Sequence, residues 1–225
     1  MFLLGKKKKE KKSVIDVVVD VAGESHNGRQ GTLRELSDLR CDDFPVTFSH
    51  YKYKGETAIK VLFYSDAEVG VVPADCVSIV SRMVDVAKGC LGSIDYSPNE
   101  YGSGSFYSAQ VHFEFDTEPP DANSFEEDIP ITLTGIAKNQ GQLKVIHQLP
   151  VSARPLRFAE EEVDGKNVYN VYLFDTVLLG KISRNNYELI INQIEHGGIV
   201  ELVTEVKSTG AGYNDRYSAS LVLHV

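Results

Sequence analysis

Residues 58–72 read AIKVLFYSDAEVGVV and residues 168–182 read VYNVYLFDTVLLGKI. Each is an alternating apolar run, a polar turn near Asp66 or Asp175, and a second apolar run that reaches a glycine, Gly70 or Gly180. Alternation on both sides of a short turn is the pattern of a β-hairpin. The two hairpins lie 110 residues apart, and at that offset Pro45 meets Pro155, Phe48 meets Phe158, Gly55 meets Gly165 and Gly102 meets Gly212. Tyr107-Ser108-Ala109 meets Tyr217-Ser218-Ala219, and upstream Val21-Ala22-Gly23 is similar to Leu133-Thr134-Gly135. A unit repeated at this length points to an internal duplication.

The expected organisation is a basic disordered tail (1–12), a first domain (13–115), an acidic linker (116–126) and a diverged repeat (127–225). Each unit opens on a strand, Val14–Val21 or Ile129–Leu133, and its next strand begins beside the shared proline. In the first unit a short helix intervenes, with Leu33 and Leu36 at i, i+3 on one face. A second helix follows the hairpin in both. In the first unit it starts near Pro73 and stops at Gly89; in the second it is capped by Ser183 and ends at Gly197-Gly198. Two strands close each unit. The fold class expected is mainly β with short helices, as two small β-barrels in tandem. The two copies are expected to pack with pseudo-twofold symmetry.

The chain of 225 residues carries a net charge of −9, and its division is informative. The run KKKKEKK (6–12) contrasts with EFDTEPPDANSFEED (114–128), which holds seven acids and no base. A duplex-binding protein shows a basic surface, so neither half fits that class, although a local basic groove is compatible with it. The tail reads as a solubilising extension or as an attachment to nucleic acid or an anionic membrane surface. No apolar run approaches the ~20 residues of a membrane span. The start, MFLLGKKKKEKKS, lacks the order of a secretory signal. Cys41, Cys76 and Cys90 form neither an even set nor a metal spacing, so a reducing, cytoplasmic setting is expected.

The residues 17–36, VVVDVAGESHNGRQGTLREL, with A-I-x-V at 58–61 and V-G-V-V-P at 69–73, resemble the HIRAN domain. The likeness covers about 13–115 and extends more weakly over 127–225. It implies an OB-like barrel. In eukaryotic fork-remodelling translocases such domains bind single-stranded DNA ends, including the 3′-hydroxyl; in bacteria they also occur as stand-alone proteins. Where the family has an N-P-Y-D-x-N-like run, this chain reads Tyr51-Lys52-Tyr53-Lys54-Gly55-Glu56-Thr57. The second copy has EEEVDGKN (160–167) at the matching loop, and Lys181 and Arg184 after its glycine.

Two clusters are candidates for contact with single-stranded DNA. His26, Arg29 and Gln30 of the polar loop suit a phosphate or a base edge; the alternative is a pair of turns with solvated side chains. In HYKYK (50–54), alternation separates Tyr51 and Tyr53 from Lys52 and Lys54. Single-strand binders combine such aromatic platforms with basic groups; the alternative is a half-buried strand with its tyrosines inward. Lys181 and Arg184 would extend the track. The glycine-rich stretches 99–108 and 208–218 read as hairpin connections. The six histidines show no metal-ligand spacing and no G-x-S-x-G elbow exists, so no enzyme, metal or cofactor is expected. The expected function is a non-enzymatic binding protein for single-stranded DNA or DNA ends, of bacterial or phage origin. The alternative is a protein–protein scaffold module.

Overall fold

The computed structural model describes residues 14–26, 28–98, 106–116, 125, 127–136, 139–207 and 215–225. The basic tail, most of the acidic linker and the tips of the two glycine-rich connections, including Gly102 and Gly212, lie outside the described residues. The chain is mainly β with short helices, in three antiparallel sheets.

In the first half the order is β1 (Val14–Asp20), α1 (Arg29–Ser37), β2 (Phe44–Tyr53), β3 (Glu56–Phe63), β4 (Ala67–Val71), α2 (Val77–Val86), β5 (Gly89–Ser97) and β6 (Phe106–Asp116). The second half runs through the same order: β7 (Asp128–Thr132), α3 (Gln140–Gln148), β8 (Leu156–Val163), β9 (Lys166–Leu173), β10 (Val177–Ile182), α4 (Arg184–Glu195), β11 (Ile199–Lys207) and β12 (Arg216–His224). Short 3-10 turns at Ala74–Cys76 and Val151–Ala153 precede α2 and β8. The helix α3 was not expected, although Leu143 and Ile146, which it buries, sit 110 residues after the buried Leu33 and Leu36 of α1. Gly89 opens β5 rather than ending α2, which stops at Val86. Ser183 does cap α4, accepting from the Asn186 N–H at 3.2 Å. At its other end the Gly198 N–H reaches back to the Gln193 carbonyl at 2.8 Å.

The first sheet has the order β1-β6-β5-β2-β3-β4. Its two outer strands meet just past β1, where Ala22 and Val71 exchange N–H···O bonds of 2.8 and 2.9 Å. Glycine is required beside this bridge. A Cβ on Gly70 would lie 2.6 Å from the Ala22 carbonyl oxygen. The second half forms β10-β9-β8 and β11-β12-β7. Thr134 and Lys181 exchange the equivalent pair of bonds, both 2.9 Å, and a Cβ on Gly180 would stand 2.6 Å from the Thr134 oxygen. The shared glycine is thus a point of close backbone approach.

The halves differ at one seam. In the first, Phe44 and Pro45 of β2 pair with Gly92 and Leu91 of β5. In the second, the Arg154 side chain occupies the corresponding place. Its Nη1 donates to the Leu202 carbonyl at 2.8 Å, and its Nε and Nη2 donate to the Leu149 carbonyl at 3.0 and 2.6 Å. Position 202 is 110 residues after Gly92, so a guanidinium replaces a strand pairing.

Apolar residues at alternate positions of the strands, such as Val17, Val19, Ile59, Val61, Val111 and Phe113, face inward and join the buried faces of the helices in one hydrophobic cluster that spans both halves. The halves meet through α3. Its Gln148 amide takes both the N–H and the carbonyl of Val18 at the open edge of β1, at 2.8 and 3.1 Å. Lys144 pairs with Asp20 at 2.5 Å, and the Gly141 N–H donates to Asp75 at 2.8 Å. Among the described residues α1 makes no comparable contact with β7. The docking is therefore one-way, and the expected pseudo-twofold packing is not what is found.

Candidate nucleic-acid interface

The register of the β2–β3 hairpin decides which side chains share a face. Phe48 opposes Val61, His50 opposes Ile59 and Lys52 opposes Thr57 on the side that continues the core. Tyr51 opposes Ala58 and Tyr53 opposes Glu56 on the other side. The tyrosines therefore face away from the core, the reverse of the packing alternative. Tyr53 is 58% exposed and Tyr51 is half-buried. Lys54 and Gly55, with φ of 50° and 88°, form the tight turn that carries them outward.

Cations stand over both rings. Lys54 Nζ lies 5.3 Å from the centroid of Tyr53, and Lys60 Nζ lies 5.5 Å from that of Tyr51. Lys60 also pairs with Glu68 of β4 at 2.7 Å. The other oxygen of Glu68 pairs with Arg29 Nη2. Arg29 is only 8% exposed, and its Nη1 donates to the Gly23 carbonyl at 2.7 Å. The hydrogen bond from Lys60, then that from Arg29, holds the Glu68 carboxyl below its ordinary value. A continuous series thus runs from the loop after Gly23 through Arg29, Glu68 and Lys60 to Tyr51, and Tyr53 lies two residues further along the same face.

Lys60 and Glu68 were missed from sequence. Lys60 sits inside A-I-K-V, in register between the two clusters that were noticed, but only the strand pairing reveals this. Arg29 is a buried cation with a carboxylate partner rather than a surface one. The rest of its loop is equally committed. Glu24 accepts from the Ala109 N–H at 2.6 Å, and burial raises its carboxyl pKa. Gln30 exchanges bonds of 2.8 and 3.0 Å with the backbone of Tyr107. His26 is exposed and helps close the turn through its backbone. Lys52 is exposed on the opposite face, donating to Thr57 Oγ1 at 2.9 Å.

Lys181 and Arg184 are exposed in the second half, where Arg184 pairs with Glu188 at 2.7 Å. The structure brings together Arg29, Tyr51, Tyr53 and Lys54, and joins neither second-half cation to them. Where the first half has Tyr51 and Lys60, the second has Glu161 and Asn170. Glu161 accepts from Asn170 Nδ2 at 2.7 Å and from the Tyr172 hydroxyl at 2.6 Å, which raises the Tyr172 pKa.

Across β1, β6 and β5, Asp16 Oδ2, His112 and Ser93 Oγ form a hydrogen-bonded chain of 2.7 and 2.8 Å. Carboxylate, imidazole and hydroxyl stand in the order that activates a serine. Here they lie along a sheet face opposite the core and staple three strands. In the second half His224 similarly links Asp128 at 2.6 Å and Glu201 at 3.4 Å. Among the described residues no group of three or more His, Cys, Asp or Glu side chains could hold a metal ion. No family model matches the chain, and no curated protein or solved structure matches it.

Proposed function

We propose that the chain is a non-enzymatic binding protein for single-stranded DNA or DNA ends, built from two HIRAN-like, OB-like barrels. The observation that carries this reading is the outward face of the β2–β3 hairpin, where Tyr51 and Tyr53 each lie under a lysine ammonium. Bases stack on the rings because every base has a π-face, and phosphates follow Lys54 and Lys60. The barrel reading is supported by the Ala22–Val71 bridge between the outer strands of the first sheet and by its counterpart at Thr134–Lys181. Lys52 projects from the opposite face of the hairpin, and His26 is exposed in the loop that precedes Arg29; both are available to a strand that wraps past the tyrosine face. Lys181 and Arg184 serve a longer strand that reaches the second half.

Fluorescence anisotropy with a short labelled strand, ending in a 3′-hydroxyl or a 3′-phosphate, at two salt concentrations tests the reading. Binding that weakens with salt is expected. No binding at low salt to either strand would reject it. A protein partner is the second reading, favoured by the second-half hairpin, where Glu160, Glu161, Glu162 and Asp164 replace the aromatic and basic set. A partner with a basic surface would complement that hairpin.

A further inference from the structure

A strand staple has no need of a hydroxyl, and the second half shows this. There His224 joins Asp128 of β7 to Glu201 of β11, an imidazole between two carboxylates. The position 110 residues after Ser93 is Val203. In the first half the equivalent strands are joined by Asp16, His112 and Ser93, and the third member has a proton to give. Val111 and Phe113 of β6 are buried, so His112 between them faces outward. A Cβ on Gly92 would run into the Phe63 ring, so Ser93 beside it faces outward as well. In register His112 stands between Val18 and Leu91, with Asp16 and Ser93 two residues further along on either side. The imidazole reaches diagonally to both. An ionised carboxylate only accepts, so Nδ1 gives its hydrogen to Asp16 at 2.7 Å and Nε2 accepts from the Ser93 hydroxyl at 2.8 Å.

We infer that Ser93 is an activated nucleophile and a modification site, which accepts an acyl group from an activated ester. His112 is its general base, and Asp16 is the positioning residue that fixes the tautomer and plane of the imidazole. The Ser93 oxygen attacks the acyl carbon as its proton passes to His112 Nε2. The bond to the leaving group then breaks, and His112 returns the proton to the departing alcohol or thiol. The products are O-acyl-Ser93 and that alcohol or thiol. Access agrees: the Asp16 side chain is 50% exposed, that of His112 27%, and Ser93 is half-buried. Val18 and Leu91, directly opposite His112, place apolar side chains beside the ring. The trio lies on a sheet face rather than in a cleft, which suits a residue that is modified once by a reactive donor. This goes beyond the nucleic-acid reading and does not rest on it.

Two probes test it on the full chain. A fluorophosphonate leaves a stable phosphonyl group on an activated serine as fluoride departs, and peptide mass mapping locates the adduct. Labelling is expected at Ser93. Exposed Ser97, four residues further along the same face of β5, is the internal reference and should stay unlabelled. His112→Gln should slow labelling by about a hundredfold or more, the worth of a general base. Asp16→Asn should slow it by about tenfold or more through the wrong tautomer. Unfolding midpoints are measured alongside. A residue that only staples strands would lower the midpoint and leave the labelling rate unchanged. Asp16→Asn, at a half-exposed side chain, keeps the test open should His112→Gln fail to fold. The second probe is p-nitrophenyl acetate, whose nitrophenolate release should exceed that of Ser93→Ala and fall to that level in His112→Gln. No adduct at Ser93, labelling of Ser97 at the same rate, or a wild-type rate in the folded variants would overturn the nucleophile. Equal nitrophenolate release from the wild type and Ser93→Ala would overturn the acyl acceptor. Neither probe contains nucleic acid, so strand binding succeeds or fails separately.

Discussion

The side-chain amide of Gln30 and the backbone of Tyr107, 77 residues apart, satisfy each other with two hydrogen bonds, and Gln140 and Tyr217 do the same across an identical interval. Each amide acts as a one-residue strand, tying a helix start to the last strand of its half. Gln30→Ala leaves a part-buried N–H and a carbonyl unpaired, so a loss of roughly 2 kcal/mol is expected. Denaturant midpoints for Gln30→Ala and Gln140→Ala check this. Equal losses are expected, because the two pairs have the same geometry.

The glycines beside the two bridges permit no side chain. Gly70→Ala places a methyl 2.3 Å from Val21 Cγ1 and 2.6 Å from the Ala22 carbonyl oxygen, and backbone must move. A destabilisation of about 3 kcal/mol, at the upper end of overpacking, is expected. Amide exchange at Ala22 and Val71 should accelerate more than exchange along β5 and β6, showing that the outer strands part first.

Arg154 is expected to tolerate no conservative exchange. Its planar fork reaches the carbonyls of Leu149 and Leu202 on different elements at once, and burial lowers its pKa. A lysine supplies one point charge instead. Arg154→Lys should lose on the order of 2 kcal/mol, as a charged hydrogen bond does. Hydrogen exchange should rise selectively in β11, and a loss spread evenly over both halves would argue against the role given to this residue.

The contact between the halves has a defined pH window. Asp20 is raised by burial, but the hydrogen bonds from Lys144 and Gln110 outweigh this and leave its pKa below 3.8. The hydrogen bond to Asp20 lifts Lys144 above 10.5. The carboxylate therefore contributes stability above about 3.8 that is lost as pH falls through its lowered folded value. The ammonium contributes below 10.5 and is lost as pH rises through its raised value. Both side chains are about half exposed, so the effect should be under ~1 kcal/mol. Asp20→Asn should lower the unfolding midpoint at pH 7 and match the wild type at both extremes.

Tyr53 offers the cleanest test of the aromatic track. Being largely exposed, it should be replaceable by alanine with little change in stability. Tyr53→Ala should nonetheless weaken single-strand binding by ~1–3 kcal/mol, the worth of one stacked base. Unchanged affinity in anisotropy would remove the hairpin from the interface.

Much of the architecture was legible because its causes are local. Hairpins announce themselves through alternation, and Gly70 and Gly180 recur because a carbonyl sits against each. What escaped reading depends on contacts between distant segments. The helix α3 carries only the short apolar pattern of Leu143, Val145 and Ile146, too brief to separate from a loop. The face of HYKYK was undecidable, since alternation divides the side chains into two sets without saying which set meets the core. Glu68 looked like any exposed acid in a hairpin; its partners come from β3 and from the start of α1. Arg154 substitutes a side chain for a strand pairing, and spacing carries no sign of that.

The one-way docking of α3 on β1 has a further consequence, which is polarity. A unit that offers a helix to the strand edge of its neighbour keeps an edge of its own, and such a series can add units without limit. The strand position that corresponds to Val18 is Pro130, opposite Val222 as Val18 is opposite His112. Proline has no amide hydrogen to give a glutamine. The helix position that corresponds to Gln148 is Asp38, whose carboxylate has no hydrogen to donate to a carbonyl. The second half's strand edge and the first half's helix end therefore lack the two hydrogens that this docking uses, and the polarity of the pair is written into two residues.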